Sequence, residues 1–507
     1  MAGLLAQIAQ VNSMRPGSVA LVAILASLIY LISKAIYNAY FHPLAKFPGP
    51  RFRNATPFVH HYRNFHGDLV FEYAKLHKKY GPVVRVGINL LSFNSPGAWH
   101  EIYGYRSGHR YSQMEKDPDQ YERQPGRDWS ILNAPSPMHS RLRKLFSPSF
   151  SEKSLRGQEP MIMRYVDLLV IRLKERVGQK VDLAAWMNYT TFDVIGDLAY
   201  GESFGCLENA NLHPWIKLTF DFLRAVVVVQ CLRLIPGALW LLNAVLPPKI
   251  KKGRDDHIAL TTAKVQKRIH METSRPDFMG EILETMGDPE GLSVSEMEAN
   301  SEVLIIAGSE TTATLLSGCF YYLLRTPRVY RKLVKEIRGT FKNEADISYD
   351  NVSKCRYMTA VLEESLRIYP PIPTSLGRVV PGEGEYIDGI WIPGGTVVGV
   401  SHWASYHSDT NFRDPYEFVP ERFLGDERYK NDRFDVLHPF SMGPRNCIGK
   451  NIAYLEMRLI VARLIWNFEF QLLPESEDWN DQKVYVLWAK GPLHAKISLA
   501  PRDGVKN

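Results

Sequence analysis

Apolar positions recur at helical spacing in five stretches of the chain, Pro160 to Arg176, Ser293 to Leu324, Arg328 to Phe341, Tyr357 to Tyr369 and Ile448 to Phe468. Pro160 suits the first turn of its helix, where a missing N–H costs nothing. Strand-like runs are short: "PVVRVGINLLSF" (Pro82 to Phe93), "GIWIPGGTVVGV" (Gly389 to Val400) and "VYVLW" (Val484 to Trp488). No internal repeat and no low-complexity linker interrupts the chain after Arg51. The pattern predicts one large, mainly α unit with small β-sheets.

Two apolar runs stand outside that pattern. Ser18 to Tyr37, "SVALVAILASLIYLISKAIY", has the length of a bilayer-spanning helix, and its single charge, Lys34, lies near one end. A cleaved signal peptide is the alternative, but no small-x-small cleavage site follows. The flanking basic residues, Arg15 before the run and Lys34, Lys46, Arg51 and Arg53 at or after its end, place the body in the cytosol. The expected division is a short lumenal segment (1–17), a transmembrane helix (18–37), a Pro-rich hinge "HPLAKFPGP" ending the 38–50 segment, and a catalytic body (51–507). The sequons at Asn188 and Asn351 should then stay unglycosylated. Ala225 to Leu246 is the second run, followed by the basic "PPKIKKGR". It reads either as a buried helix pair or as a shallow membrane contact with cations at the headgroups.

Composition narrows the function. Of 507 residues, 45% are hydrophobic and 23% charged, as in ordinary globular proteins, and the net charge of +7 is scattered without a long basic run. Nucleic-acid binding is disfavoured; a membrane surface or an acidic partner protein suits such a chain better. Five widely spaced cysteines form no disulfide framework, and without HExxH or paired Cys/His spacing a structural zinc site has no support.

One of those cysteines has unusual company. "HPFSMGPRNCIGKNIAYLEMRL" sets Cys447 between Gly443 and Gly449, two residues after Arg445, at the start of an amphipathic helix. A lone cysteine is ordinarily a small buried hydrophobe. Here the helix start and close-approaching amides should lower the thiol pKa and favour a metal-bound thiolate, with Arg445 suited to a carboxylate. The pattern Phe440-x-x-Gly443-x-Arg445-x-Cys447-x-Gly449 resembles the haem-binding loop of the cytochrome P450 family. The resemblance implies that Cys447 is the proximal iron ligand of haem b, whose electron donation favours O–O cleavage.

A second motif lies in the longest helix, "AGSETTATLL", Ala307 to Leu316. Gly308 costs about 1 kcal/mol relative to Ala in a helix interior, and its plain reading is close helix packing. A buried Glu310 beside two hydroxyls is harder to explain that way, because it needs partners. The stretch resembles the family's oxygen-activation motif, implying that Thr311 hydrogen-bonds bound O₂ or its waters and that Glu310 delivers protons, with the helix loosened around Gly308. "EESLR" and "PERF" resemble the family's structural triad, which would be Glu364, Arg367 and Arg422. In "HSRLRKLF" the resemblance makes His139 and Arg143 propionate contacts, with histidine where the family more often has tryptophan; Arg378 in "SLGRVV" is a further one.

These motifs run in family order over about Tyr40 to Pro501. They resemble those of fungal, membrane-anchored enzymes that tailor secondary metabolites, such as isotrichodermin hydroxylases. The implied reaction inserts one atom of O₂ into an apolar terpenoid, polyketide or alkaloid. NADPH-derived electrons would come through a separate NADPH-cytochrome P450 reductase, with cytochrome b5 as an optional second donor, at the endoplasmic reticulum membrane. Desaturation, ring closure or oxidative coupling by the same family, and a haem-binding protein without chemistry, are the alternatives. The implied substrate pocket draws on Tyr105 to Pro135, Cys206 to Leu246, Ile306 and Ala307, Ile372 to Leu376, and Trp488 to Leu493.

Overall fold

The computed structural model describes residues 16–106, 113–123, 126–213, 227–233, 237, 238, 240, 242, 248–271 and 275–501. Helix α1 (Pro16–Ile36) continues into a π-helical turn at Tyr37–Phe41. Within them lies a 25-residue run, Gly17–Phe41, long and apolar enough to cross a membrane. Residues 17–34 are all exposed, so this helix finds no apolar cover among the described residues. Its end is tied down: Asn38 is buried, donates to the Ala55 carbonyl (3.0 Å), and accepts from Arg85 through its own carbonyl (2.9 Å). The proline-rich segment is fastened as well, with the Arg85 amide bonded to the Pro48 carbonyl (2.8 Å).

The body is mainly helical. Its principal helices are α2 (Pro96–Tyr103), α3 (Ser136–Phe146), α4 (Glu152–Lys174), α5 (Leu183–Tyr200), α6 (Val294–Arg325), α7 (Pro327–Thr340), α8 (Arg356–Ile368) and α9 (Lys450–Asn467). α6 starts at a capping box in which Ser293 Oγ accepts from the Glu296 amide (3.1 Å) and Glu296 accepts from the Ser293 amide (3.0 Å). One apolar core joins α4, α5, α6, α8 and α9; a second packs Phe93, Trp99 and Val398 under the larger sheet.

That sheet contains β1 (Val83–Gly87), β2 (Leu90–Phe93), β3 (Glu115–Lys116), β5 (Arg378–Val379) and β8 (Val397–Val400), in the order β1-β2-β8-β5-β3. Its β2–β8 pair is parallel and the rest antiparallel. β4 (Lys180–Asp182), β9 (Phe468–Leu472) and β10 (His494–Leu499) make a second sheet, and β6 (Glu385–Ile387) with β7 (Ile390–Ile392) a hairpin.

The predicted helices are present, with two departures from the expected pattern. α4 begins eight residues before Pro160, capped by Ser151, so the proline lies inside the helix. It is tolerated on an exposed face, where water can satisfy the carbonyl that loses its partner. Val484 to Trp488 is no strand: Val484 and Trp488 bridge each other across a tight turn, with Val486 at φ 95° and the Tyr485 amide bonded to the Leu487 carbonyl (2.9 Å). The Gly389 to Val400 run divides between two sheets at Pro393-Gly394-Gly395. Half of the apolar segment 225–246 falls outside the described residues. Residues 227–232 are helical, Cys231 lies against the His61 carbonyl (3.4 Å), and Trp240 is 76% exposed.

Candidate active site

The loop before α9 is shaped by backbone constraints. The Cys447 amide donates to the Phe440 carbonyl (2.9 Å), closing a turn around residues 443–445. Gly443 sits at φ 69°, and a Cβ there would fall 2.0 Å from the Tyr103 carbonyl, so only glycine fits against α2. At Gly449 a Cβ would stand 3.9 Å from Cys447 Sγ, which places the sulfur beside the first turn of α9. Cys447 is exposed, whereas Cys206, Cys319 and Cys355 are buried.

The expectation of a depressed thiol is reversed in direction. Although Cys447 keeps exposed surface, the protein packed around it raises its pKa by desolvation, opposed by a hydrogen bond from the Gly449 amide and by the charges of Arg143 and Lys450. The features read from sequence are therefore present, but desolvation outweighs them. A thiolate here needs a stronger positive partner than the helix start provides.

Cations gather around this loop. Arg143 on α3 donates two bonds to Asn446, to its carbonyl (2.5 Å) and to Oδ1 (2.7 Å). Arg445 donates to Gln113 Oε1 (2.9 Å), the Ala134 carbonyl (2.9 Å) and Glu115 Oε2 (3.1 Å). Arg378 is buried with its guanidinium over the Tyr103 ring (5.2 Å). His139 is buried with its pKa lowered to about 3, by desolvation first and then by Arg445, Lys116, Arg143 and Arg378. Sequence reasoning missed Lys116, whose pKa falls well below its ordinary value through burial, Arg378 and Arg445. Lys116 reaches the cluster because β3 pairs with β5, setting it opposite Arg378. Its ammonium lies over Tyr121 (4.2 Å) and donates to the Leu132 carbonyl.

Burial of several like charges is expensive unless anions compensate them. Glu115, half exposed, pairs with Arg445, and Lys116 donates to the Leu132 carbonyl; Lys116, Arg445 (about 10) and His139 are held below their ordinary values by desolvation first, with neighbouring cations adding to it. A ligand carrying two carboxylates beside a thiolate-bound metal fits this donor set. Arg143, Arg378, Arg445, Lys116 and neutral His139 could hold the carboxylates, and Cys447 could hold the metal.

α6 stays a continuous α-helix through the threonine pair, so the expected loosening around Gly308 is absent. The plain reading of Gly308 holds: a Cβ there would meet Ile195 Cδ1 at 2.5 Å, where α5 crosses. Thr311 is half-buried and bonds back to the Ala307 carbonyl (2.6 Å), and Ala307 itself is exposed in mid-helix. Glu310 is buried and finds the partner its burial demands in Lys490, 180 positions away; Thr314 Oγ1 also donates to it (3.1 Å).

The triad closes completely. Arg367 donates to both Glu364 oxygens (2.7 and 2.8 Å), Arg422 approaches Glu364 at 3.1 Å, and all three side chains have no exposed surface. Arg367 also donates to the carbonyls of Tyr406, Pro415 and Glu417, and Arg422 pairs with Asp432, a fourth member that the motifs did not indicate.

Comparison with known proteins agrees with this geometry. The profile described as "Cytochrome P450" matches residues 50–497. The cytochrome P450 monooxygenase astA of Talaromyces wortmannii is 45% identical over 477 residues, covering 94% of this chain and 96% of that protein. The monooxygenase lcsI of Purpureocillium lilacinum is 42% identical, covering 93% and 92%, and aclL of Aspergillus oryzae 43% identical, covering 93% and 96%. Fold, loop and similarity along nearly the whole chain agree: this protein belongs to the cytochrome P450 family of haem-iron oxidoreductases.

Proposed function

We propose that this chain is a haem-thiolate monooxygenase that inserts one oxygen atom from O₂ into an apolar fungal secondary metabolite of terpenoid, polyketide or alkaloid type. The observation that carries the reading is the convergence of Arg143, Arg378, Arg445 and Lys116 beside Cys447, with Glu115 as the carboxylate paired there. When bound there, haem b would supply the oxygen-activating chemistry. Cys447 would ligate the iron, Phe440 would pack at the loop, and Arg143, Arg378 and Arg445 with Lys116 would neutralise the propionates. His139, held neutral, would serve as a hydrogen-bonding neighbour. Thr311 and Glu310 would move protons on the α6 side, while Glu364, Arg367 and Arg422 would keep the loop's foundation rigid.

Electrons would come from NADPH through a separate reductase, with cytochrome b5 as a second donor. Segments 1–17, 18–37 and 38–50 would be lumenal tail, endoplasmic reticulum anchor and hinge, with 51–507 in the cytosol. The exposed apolar surface of α1 and the fastening of the hinge to Arg85 support this arrangement.

Comparing extracts from a host expressing the intact protein and one expressing Cys447→Ala by mass spectrometry tests the reading. A compound accumulating in the variant that is lighter than the normal product by one oxygen atom is expected. A difference of two hydrogens would replace insertion with desaturation, ring closure or coupling. Identical profiles from fully haem-loaded intact protein would overturn catalysis on a resident metabolite.

A further inference from the structure

Glu115 occupies a junction that none of the sequence motifs includes. It begins β3, the two-residue strand that pairs with β5 and sets Lys116 opposite Arg378. Its Oε2 accepts from Arg445 (3.1 Å), and its Oε1 accepts from the Ser136 amide (3.0 Å) in the first turn of α3. The Arg445 guanidinium also reaches Ser136 Oγ (3.5 Å), which closes a triangle. One carboxylate thus joins the three elements that carry the cluster: the Cys447 loop through Arg445, α3 with His139 and Arg143, and β3 with Lys116.

Both bonds use the negative charge. The Ser136 amide is one of the helix-start donors that no carbonyl of α3 can accept from, and a carboxylate there meets the positive end of the helix. The bond from Arg445 is charge-assisted on both sides. Glu115 keeps 49% of its side chain exposed, so the ion pair contributes little to folding. Its larger effect is on the sum of charges beside Cys447, where it sets one negative charge against Lys116, Arg143, Arg378 and Arg445. Reduction removes one positive charge from a bound iron, so cations nearby favour the reduced form and an anion among them opposes it.

We propose that Glu115 is a positioning residue for the haem: it ties Arg445 to α3 and, by countering that arginine's charge, holds the reduction potential of the iron down. The inference rests on the haem-thiolate reading and deepens it. Glu115 itself gains or loses neither an electron nor a proton.

Three variants of the full-length, haem-loaded protein separate charge from shape. Glu115→Gln keeps an acceptor for the Ser136 amide and removes the charge, Glu115→Lys reverses the charge, and Glu115→Ala removes both bonds. Ferric–ferrous midpoints, read by spectroelectrochemistry without substrate at low salt, should rise from parent to glutamine to lysine. The equilibrium should move towards ferrous by about three- to tenfold at the glutamine step and further at the lysine step; tenfold corresponds to about 59 mV for one electron. High salt should shrink the shift, because the carboxylate is half in water.

Haem retention, read by competition with apomyoglobin, should hold in the glutamine variant and fall several-fold in the alanine variant. A glutamine variant with the parent's midpoint at low salt would make Glu115 a structural tie only and overturn its hold on the potential. Full haem retention in the alanine variant would overturn the positioning of Arg445. An intact protein that binds no haem, or binds it without thiolate ligation, would instead sink the reading on which the inference rests.

Discussion

Two clusters of arginine among the described residues, one fully buried and one half-buried, differ in how their charge is balanced. Around Glu364 every guanidinium meets carboxylate or carbonyl oxygen supplied by the chain itself, including Asp432 and the carbonyls of Tyr406, Pro415 and Glu417. Around Cys447 the cations Lys116, Arg143, Arg378 and Arg445 outnumber their acidic partners, and the pKa values of Lys116, Arg143 and Arg445 are depressed, by desolvation first. A closed cluster stabilises a fold, whereas an open one marks where a ligand's charge completes the account.

The largest effect should come from opening the closed cluster. Arg367→Ala leaves Glu364 buried beside a single remaining arginine, and removal of one partner of a buried pair costs about 3–5 kcal/mol. Soluble yield and thermal midpoint of the full chain should both fall, with haem loading lost as a consequence. A variant that melts like the parent would erase the distinction between the clusters.

Removing a cation from the open cluster should do the opposite to the bare chain. Arg445→Leu relieves repulsion on Lys116 and Arg378, so the urea midpoint of haem-free protein should hold or rise. Haem retention, read by competition with apomyoglobin, should weaken about 10–100-fold, the scale of losses when groups supporting a metal site are removed. Equal destabilisation of the haem-free chain would show this cluster to be structural too.

How much of this was legible in the sequence follows from range. The Cys447 loop, the capped α6 and Glu364–Arg367 are local patterns, and their elements form where spacing placed them. Lys116 and Lys490 were missed because strand pairing and a turn bring them from 262 and 180 positions away to Arg378 and Glu310. Neither carries a local motif. The start of α4 was hidden by two mostly polar opening turns, 152–159, although Ser151 is a legible cap. Val484 to Trp488 alternates like a strand, but a positive φ at a β-branched residue is imposed by packing and leaves no trace in composition. Gly308 shows the converse: a resemblance suggested a loosened helix, and the close approach of Ile195 explains the glycine without one.

A single buried carboxyl on α9 sharpens the comparison through pH. Glu456 is 3% exposed, its Oε2 has no partner, and burial raises its pKa from 4.5 to about 8. The folded chain then holds a proton that the unfolded chain releases between those values. This contribution is fully present below pH 4.5 and is lost as pH rises through about 8. Glu456→Gln should remove that downward component, so the difference in urea midpoint between variant and parent should grow in the variant's favour from pH 5 to 8. A pH-independent difference would mean that Glu456 has found a cation in solution.

The smallest effect belongs to an ion pair that geometry alone would rank with the triad. Arg156 donates to both oxygens of Asp350 (2.8 and 3.0 Å), distances close to the 2.7 and 2.8 Å of Arg367 on Glu364, but the two side chains are 48% and 61% exposed. Water solvates both partners before and after separation, and ordering two long side chains offsets the attraction. Arg156→Ala should therefore leave the urea midpoint unmoved at physiological salt. A measurable drop would show that distance, and not desolvation, decides what an arginine–carboxylate pair contributes here, and the contrast between the two clusters would have to be rebuilt on geometry.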